Sequence, residues 1–137
     1  MNTMLYAAFC GCGKTFLCKS NLLKYKEIEC WEYRKGNFPT NYINDVLAQI
    51  GKVENIFVGT DPVILKELYK HGINIHLVYP EICLKEEYMK RYIKRNDSND
   101  FIGWIYKEWE NLITELSKQG YCNHIILNSG EYLEKYI

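Results

Sequence analysis

Positions 4–15, MLYAAFCGCGKT, constrain the chain more than any other stretch. The apolar run Met4 to Phe9 passes directly into Cys-Gly-Cys-Gly-Lys-Thr, after which Phe16 and Leu17 resume an apolar pattern. A strand buried on both faces, a turn that needs glycine, and a helix start are the succession this order dictates. Such a turn gathers main-chain N–H groups around one point and makes an anion cradle, bracketed here by Gly11 and Gly13. Lys14 adds a point charge for outer phosphates, and the Thr15 hydroxyl is a hard-cation ligand. The competing reading is a thiol site built on Cys10, Cys12 and Cys18. Structural zinc sites close one C-x2-4-C pair with a second, and no second pair follows.

The rest of the chain repeats the alternation. Asn55 to Val58, Ile73 to Tyr79 and His124 to Leu127 are continuous apolar runs and are expected, with Met4 to Phe9, to be central parallel strands. Glu27 to Tyr33 alternates with charge and is expected at an edge. Between them, Thr40 is placed to cap a helix carrying Ile43, Val46, Leu47 and Ile50 and ending at Gly51. Asp61 and Pro62 open another, with Val63, Leu65, Leu68 and Tyr69 on its stripe and Gly72 at its end. The longest stripe is Ile102, Ile105, Trp109, Leu112, Ile113 and Leu116, closed by Gly120. Asn96 to Asp100, NDSND, reads as a turn between helices or a small mobile lid. The fold class is α/β, a parallel sheet covered by helices.

A length of 137 residues that is 47% hydrophobic suits one domain spanning 1–137. Seventeen basic residues balance seventeen acidic ones without a basic run, which argues against a duplex nucleic acid partner. No apolar run approaches the roughly 20 residues needed to span a bilayer, so a cytoplasmic, soluble protein without a membrane partner is expected. The six cysteines are expected to be reduced.

Phosphoryl transfer needs further cations and a carboxylate near the metal or the attacking oxygen. Arg91 and Arg95 lie one helical turn apart within Leu84 to Arg95, on the face opposite Met89 and Ile93, where they can close over phosphate or form a solvated basic face. Glu29 and Glu32 flank the end of the second strand and Asp61 ends the third. Carboxyl ends of parallel strands are where ligands gather. Asp61 also has a plain role as a helix cap. Trp31 and Tyr33 are candidates to stack an acceptor base. His71, His76 and His124 are assigned no role.

GCGKT, with NFPTNY at Asn37 to Tyr42, IFVGTDPVILKELYKHGINIHLVYP, LKEEYMKRYIKR and HIILNSGEYL, resembles the small P-loop nucleotide kinase-like proteins of bacteriophages and prophages, described as deoxynucleoside monophosphate kinase-like or adenylate kinase-like. The resemblance runs from about Leu5 to Tyr136. It implies a P-loop NTPase fold with a five-stranded parallel sheet in the order 2-3-1-4-5. It also implies ATP and Mg2+ as cofactors, with transfer of the γ-phosphoryl group to a nucleoside or deoxynucleoside monophosphate. By the same resemblance, Cys10, Gly11, Cys12, Gly13, Lys14, Thr15 and Phe16 form the donor loop, and Asn128, Ser129 and Gly130 pass beside the donor base. Arg34, Phe38, Asn41 and Tyr42 fall in the acceptor segment. Lys14, Arg91, Arg95, Glu29 and Glu32 are the catalytic candidates, and Thr15 and Asp61 the metal-associated ones.

Two departures keep a second reading open. Ala8 stands where the pattern G-x-x-x-x-G-K-[ST] has its first glycine, and ECWEYR replaces the Asp-Ser-rich end of the second strand. A P-loop module that senses or sequesters a nucleotide without turnover accommodates both.

Overall fold

A computed structural model describes residues 2–137. Five strands form one sheet, all pairs parallel, in the order β2-β3-β1-β4-β5. They are β1 (Met4–Ala8), β2 (Tyr25–Glu27), β3 (Asn55–Val58), β4 (Ile75–Pro80) and β5 (Asn123–Leu127). The helices are α1 (Lys14–Ser20), α2 (Thr40–Gln49), α3 (Pro62–Lys70), α4 (Lys85–Lys94) and α5 (Asn99–Ser117). Parallel neighbours require crossovers, and these helices supply them. The expected α/β class and the expected order of its five parallel strands are met.

The apolar runs explain the middle of the sheet. Leu5, Ala7, Ile56, Phe57, Ile75 and Leu77 are all buried, because β1, β3 and β4 have a strand on either side and cover on both faces. β5 departs from the expectation of a central strand. It is an edge, paired only with β4, and Ile126 is 47% exposed. An apolar run four or five residues long does not distinguish the two positions.

β2 also differs from the expected Glu27 to Tyr33. It comprises Tyr25–Glu27, with the Ile28 amide donating to the Phe57 carbonyl as the final link. The reason lies in its neighbour: β3 is four residues long, so the pairing runs out and the chain leaves through a 3-10 turn at Tyr33–Lys35. The strand therefore ends at Glu27, upstream of Glu29 and Glu32.

Helix boundaries follow local chemistry. Asp61 caps α3 by accepting from the Val63 amide at 2.9 Å, with Pro62 in the first turn. Ser98 caps α5 by accepting from the Phe101 amide at 3.1 Å, which makes NDSND a capped turn between α4 and α5. Thr40, expected as a cap, is the first residue of α2 and follows Pro39. Ile50 lies beyond that helix and is exposed.

Two stripes are rotated from their expected positions. α3 buries Ile64, Leu65 and Leu68 and leaves Val63 and Tyr69 outside. α4 buries Tyr88, Met89 and Tyr92, while Ile93 is 62% exposed. Two large aromatic rings bury more apolar area than one isoleucine, so they set the rotation of α4. Trp109 is fully buried against Phe9 and Tyr88, and its indole N–H donates to the Ile82 carbonyl at 2.7 Å. Among the described residues no helix is long and apolar enough to cross a membrane.

Candidate functional site

The carboxyl end of β1 opens into a cleft of about 910 Å³. Cys10, Gly11, Gly13, Lys14, Thr15 and Phe16 line one wall, with Glu27 and Glu29 beside them; Arg91, Lys94, Arg95, Asp97, Phe101 and Tyr132 face them. This gathers three sequence-distant segments named from the sequence, the glycine loop, the end of the second strand and the Arg91/Arg95 helix.

The loop is built on left-handed backbone at Gly11 (φ 88°) and Gly13 (φ 100°). Any other residue would be strained at both positions. At Gly11 a side chain would also strike α4, since a Cβ there would lie 2.9 Å from the Tyr92 ring and 3.3 Å from that of Tyr88.

Hydrogen bonding sorts the loop into two sets of groups. Its carbonyls are all taken: Ala8 by Lys14 Nζ at 2.8 Å, Phe9 by the Cys12 amide at 3.3 Å, Cys10 by Tyr92 Oη at 2.8 Å, Gly11 by Arg91 at 2.9 Å, Cys12 by the Leu133 amide at 2.8 Å, and Gly13 by the Leu17 amide at 3.3 Å. The amides of Gly11, Gly13, Lys14, Thr15 and Phe16 have no acceptor among the described residues. In a trans peptide plane the N–H points opposite to the C=O, so pinning the Cys10 and Cys12 carbonyls on one side turns the Gly11 and Gly13 amides to the other. Because α1 is only seven residues long, the amides themselves outweigh its dipole here.

The sulfur atoms do not share in this chemistry. Burial pushes the Cys10 thiol up, the Cys12 thiol up to about 12 and the Cys18 thiol up to about 11, so each stays protonated near neutral pH. Among the described residues no group of three or more His, Cys, Asp or Glu side chains is placed to hold a metal.

The carboxylate that meets the loop is Glu27, which sequence reading left out. Thr15 Oγ1 donates to Glu27 Oε1 at 3.0 Å, and Glu27 Oε2 is buried without a hydrogen-bond partner. Burial holds its pKa above the usual carboxylate range, and the neighbouring Glu29 carboxyl raises it further. Glu29 lines the cleft as expected, whereas Glu32 lies at the start of the exposed 3-10 turn and does not reach it. The signal available in the sequence was the short length of Asn55–Val58, which limits how far the edge strand can pair.

Asp61 does not line the cleft. Its carboxylate accepts from the Val63 amide and pairs with Arg34, so capping and ion pairing occupy it. The expected acceptor segment is likewise engaged elsewhere. Tyr42 is fully buried, with its hydroxyl donating to the Ile28 carbonyl at 2.5 Å. Asn41 donates to the Tyr33 carbonyl at 2.9 Å, Arg34 stacks over Phe38 at 4.7 Å, and Tyr33 donates to Asp45 at 2.6 Å. Trp31 is exposed. None of Arg34, Phe38, Asn41, Tyr42, Trp31 and Tyr33 lines the cleft.

On the opposite wall, Arg95 is 46% exposed and its Nε donates to Asp97 at 2.5 Å. Arg91 has a side chain only 10% exposed. Asn128, Ser129 and Gly130 do not line the cleft; the Ser129 hydroxyl and the Gly130 amide both donate to Glu87, and the Asn128 amide to Glu131. Tyr132, three residues after Ser129, takes their expected place on the cleft wall beside Gly13. No family model matches the chain, and no curated protein matches it.

Proposed function

We propose that this chain is a P-loop phosphotransferase: it binds a nucleoside triphosphate with Mg2+ on the Phe9–Thr15 loop and transfers the γ-phosphoryl group to an acceptor in the same cleft. A nucleoside or deoxynucleoside monophosphate is the acceptor class that the sequence resemblance implies. The observation that carries the reading is the sorting of the loop, in which every carbonyl from Ala8 to Gly13 is engaged and the amides of Gly11, Gly13, Lys14, Thr15 and Phe16 are not. Lys14 to Phe16 open α1 and, with the glycine amides before them, are left without a partner in the fold, so an anion can take them in place of water.

Lys14 gives up its bond to the Ala8 carbonyl to meet the outer phosphates, a gain because a phosphate oxygen is a charged acceptor and the carbonyl is not. Thr15 and Glu27 offer two oxygens 3.0 Å apart plus a buried carboxylate oxygen without a partner, a donor set that suits a hard divalent cation. Bound there, Mg2+ would neutralise charge on the phosphates. Lys94 and Arg95 supply mobile positive charge from the facing wall, where charge develops during transfer. Glu29 orients the acceptor or the waters around the cation.

A coupled assay with ATP, Mg2+ and a panel of monophosphates tests the proposal. Turnover on at least one acceptor, lost about a hundredfold or more in Lys14→Ala, is the expected result. A second reading, nucleotide binding without turnover, is favoured by one observation: Arg34, Asn41 and Tyr42 are committed to the protein's own groups. Tight binding of ATP with no product from any acceptor would select it.

A further inference from the structure

Helical spacing groups Arg91 with Arg95 as two cations on one face, and their surroundings then separate them. Arg91 donates to three acceptors on three different segments: the Gly11 carbonyl of the loop at 2.9 Å, Glu87 of α4 at 3.1 Å, and the Glu131 carbonyl after β5 at 3.1 Å. Its guanidinium also lies between two rings, 4.2 Å from the centre of Tyr88 and 4.0 Å from that of Tyr132. Only a planar fork with several N–H groups can satisfy such a set. Arg95, by contrast, has one acceptor, Asp97, and one ring, that of Tyr92 at 5.1 Å, and is half-exposed.

Glu87 completes the arrangement from the other side. Its carboxylate accepts from Arg91, from the Ser129 hydroxyl and from the Gly130 amide, and these bonds hold its pKa below the usual carboxylate range, the Gly130 amide first. The same side chain thus neutralises Arg91 and ties the segment after β5 to α4. That segment in turn holds the Cys12 carbonyl through the Leu133 amide.

We propose that Arg91 and Glu87 form a clasp that sets the shape of the amide nest, and that Arg91 is a positioning residue which makes no contact with phosphate. The proposal rests on the phosphate-binding reading of the loop. Fixing the Gly11 carbonyl orients the Cys12 amide of the same peptide plane, which closes onto the Phe9 carbonyl and tightens the turn. Through Glu87 and the segment after β5, the clasp also secures the Cys12 carbonyl and hence the direction of the Gly13 amide. A cation spent on three fixed acceptors is not free to follow a moving phosphoryl group. That task falls to Arg95 and Lys94.

Glu87→Gln separates the two roles by sign. A clasp that loses its carboxylate loosens, so the Gly11, Cys12 and Gly13 amide resonances of the ligand-free protein shift, the Leu133 amide exchanges faster, and tripolyphosphate, followed by calorimetry, binds roughly tenfold more weakly. If Arg91 instead contacts phosphate, removing a negative charge and freeing the guanidinium makes tripolyphosphate bind as well or better. Arg91→Lys is the second variant, because it keeps the charge but cannot span three acceptors; the clasp predicts a loss of similar size. Wild-type affinity in Arg91→Lys, tighter binding in Glu87→Gln, or unmoved loop resonances in both would overturn the proposal. Failure of the wild-type protein itself to bind tripolyphosphate would end the phosphate reading of the loop. The clasp would then stand or fall on the amide shifts and exchange of the ligand-free protein alone.

Discussion

The loop from Phe9 to Thr15 and the limb from Cys30 to Asn41 both leave the carboxyl end of a strand near the same cleft, yet they are held in opposite ways. Groups from remote elements pin the loop: Tyr92, Arg91 and the Leu133 amide come from 80 or more residues away in sequence, as the separations of 80 and 82 for Arg91–Gly11 and Tyr92–Cys10 illustrate. The limb is held by groups nearer in sequence, through Asn41 to Tyr33, Tyr33 to Asp45 of α2, and an ion pair from Arg34 to Asp61 at the start of α3. The loop is held in shape by the protein's own groups. The limb's polar side chains are already paired with α2 and α3, and a ligand there would have to displace those pairs.

Substitution can break this contrast where it is strongest. Gly11→Ala forces a side chain onto left-handed backbone and into the Tyr92 ring, and should destabilise the protein by about 3 kcal/mol, read from denaturant unfolding. A neutral outcome would mean that the loop is not pinned. Next in size is Glu27→Gln, expected to weaken Mg2+-dependent nucleotide binding roughly tenfold while raising the stability of the metal-free protein at pH 7. The sign follows from its raised pKa. The folded state holds that proton more tightly than the unfolded chain, so ionised Glu27 is a penalty above its folded pKa, and the penalty disappears as pH falls through that value. Metal-free wild-type protein should therefore gain stability relative to Glu27→Gln as the solution is acidified toward the ordinary carboxylate range; melting curves across pH check this, and parallel curves would refute it.

The limb predicts smaller effects. Tyr42→Phe leaves the buried Ile28 carbonyl without its donor and should cost about 1 kcal/mol, with nucleotide binding unchanged. A change in acceptor KM with no loss of stability would instead make Tyr42 a substrate contact and join the two regions. Smallest is Arg34→Ala, expected to alter stability by no more than about 0.5 kcal/mol because the pair with Asp61 is exposed to solvent on the arginine side. Any larger loss confined to acceptor turnover would mark Arg34 as a residue recruited on binding.

These differences track what a linear sequence can encode. The loop was legible because its requirements are local: two glycines for the turn, a lysine, a hydroxyl, an apolar strand before them. The strand order was legible by resemblance, and the central strands by their unbroken apolar runs. Glu27 was missed because its place depends on where β3 stops, a property of the partner strand. Arg91 was grouped with Arg95 because spacing shows which residues share a helix face but not how that face is rotated. Rotation was decided by Tyr88 and Tyr92, whose rings outcompete Ile93 for the interior. Tyr42 was placed in the acceptor segment by resemblance alone, which does not show that the Ile28 carbonyl holds its hydroxyl inward.

β1 lies in the middle of five strands, hydrogen-bonded on both sides along most of its length, with the loop rising directly from its end. Shifting that loop would shear two ladders at once, so it serves as an anvil. The corner at Arg95–Ser98 lies between α4 and α5 and outside the sheet, so a change in the width of the cleft falls to that wall rather than to the loop.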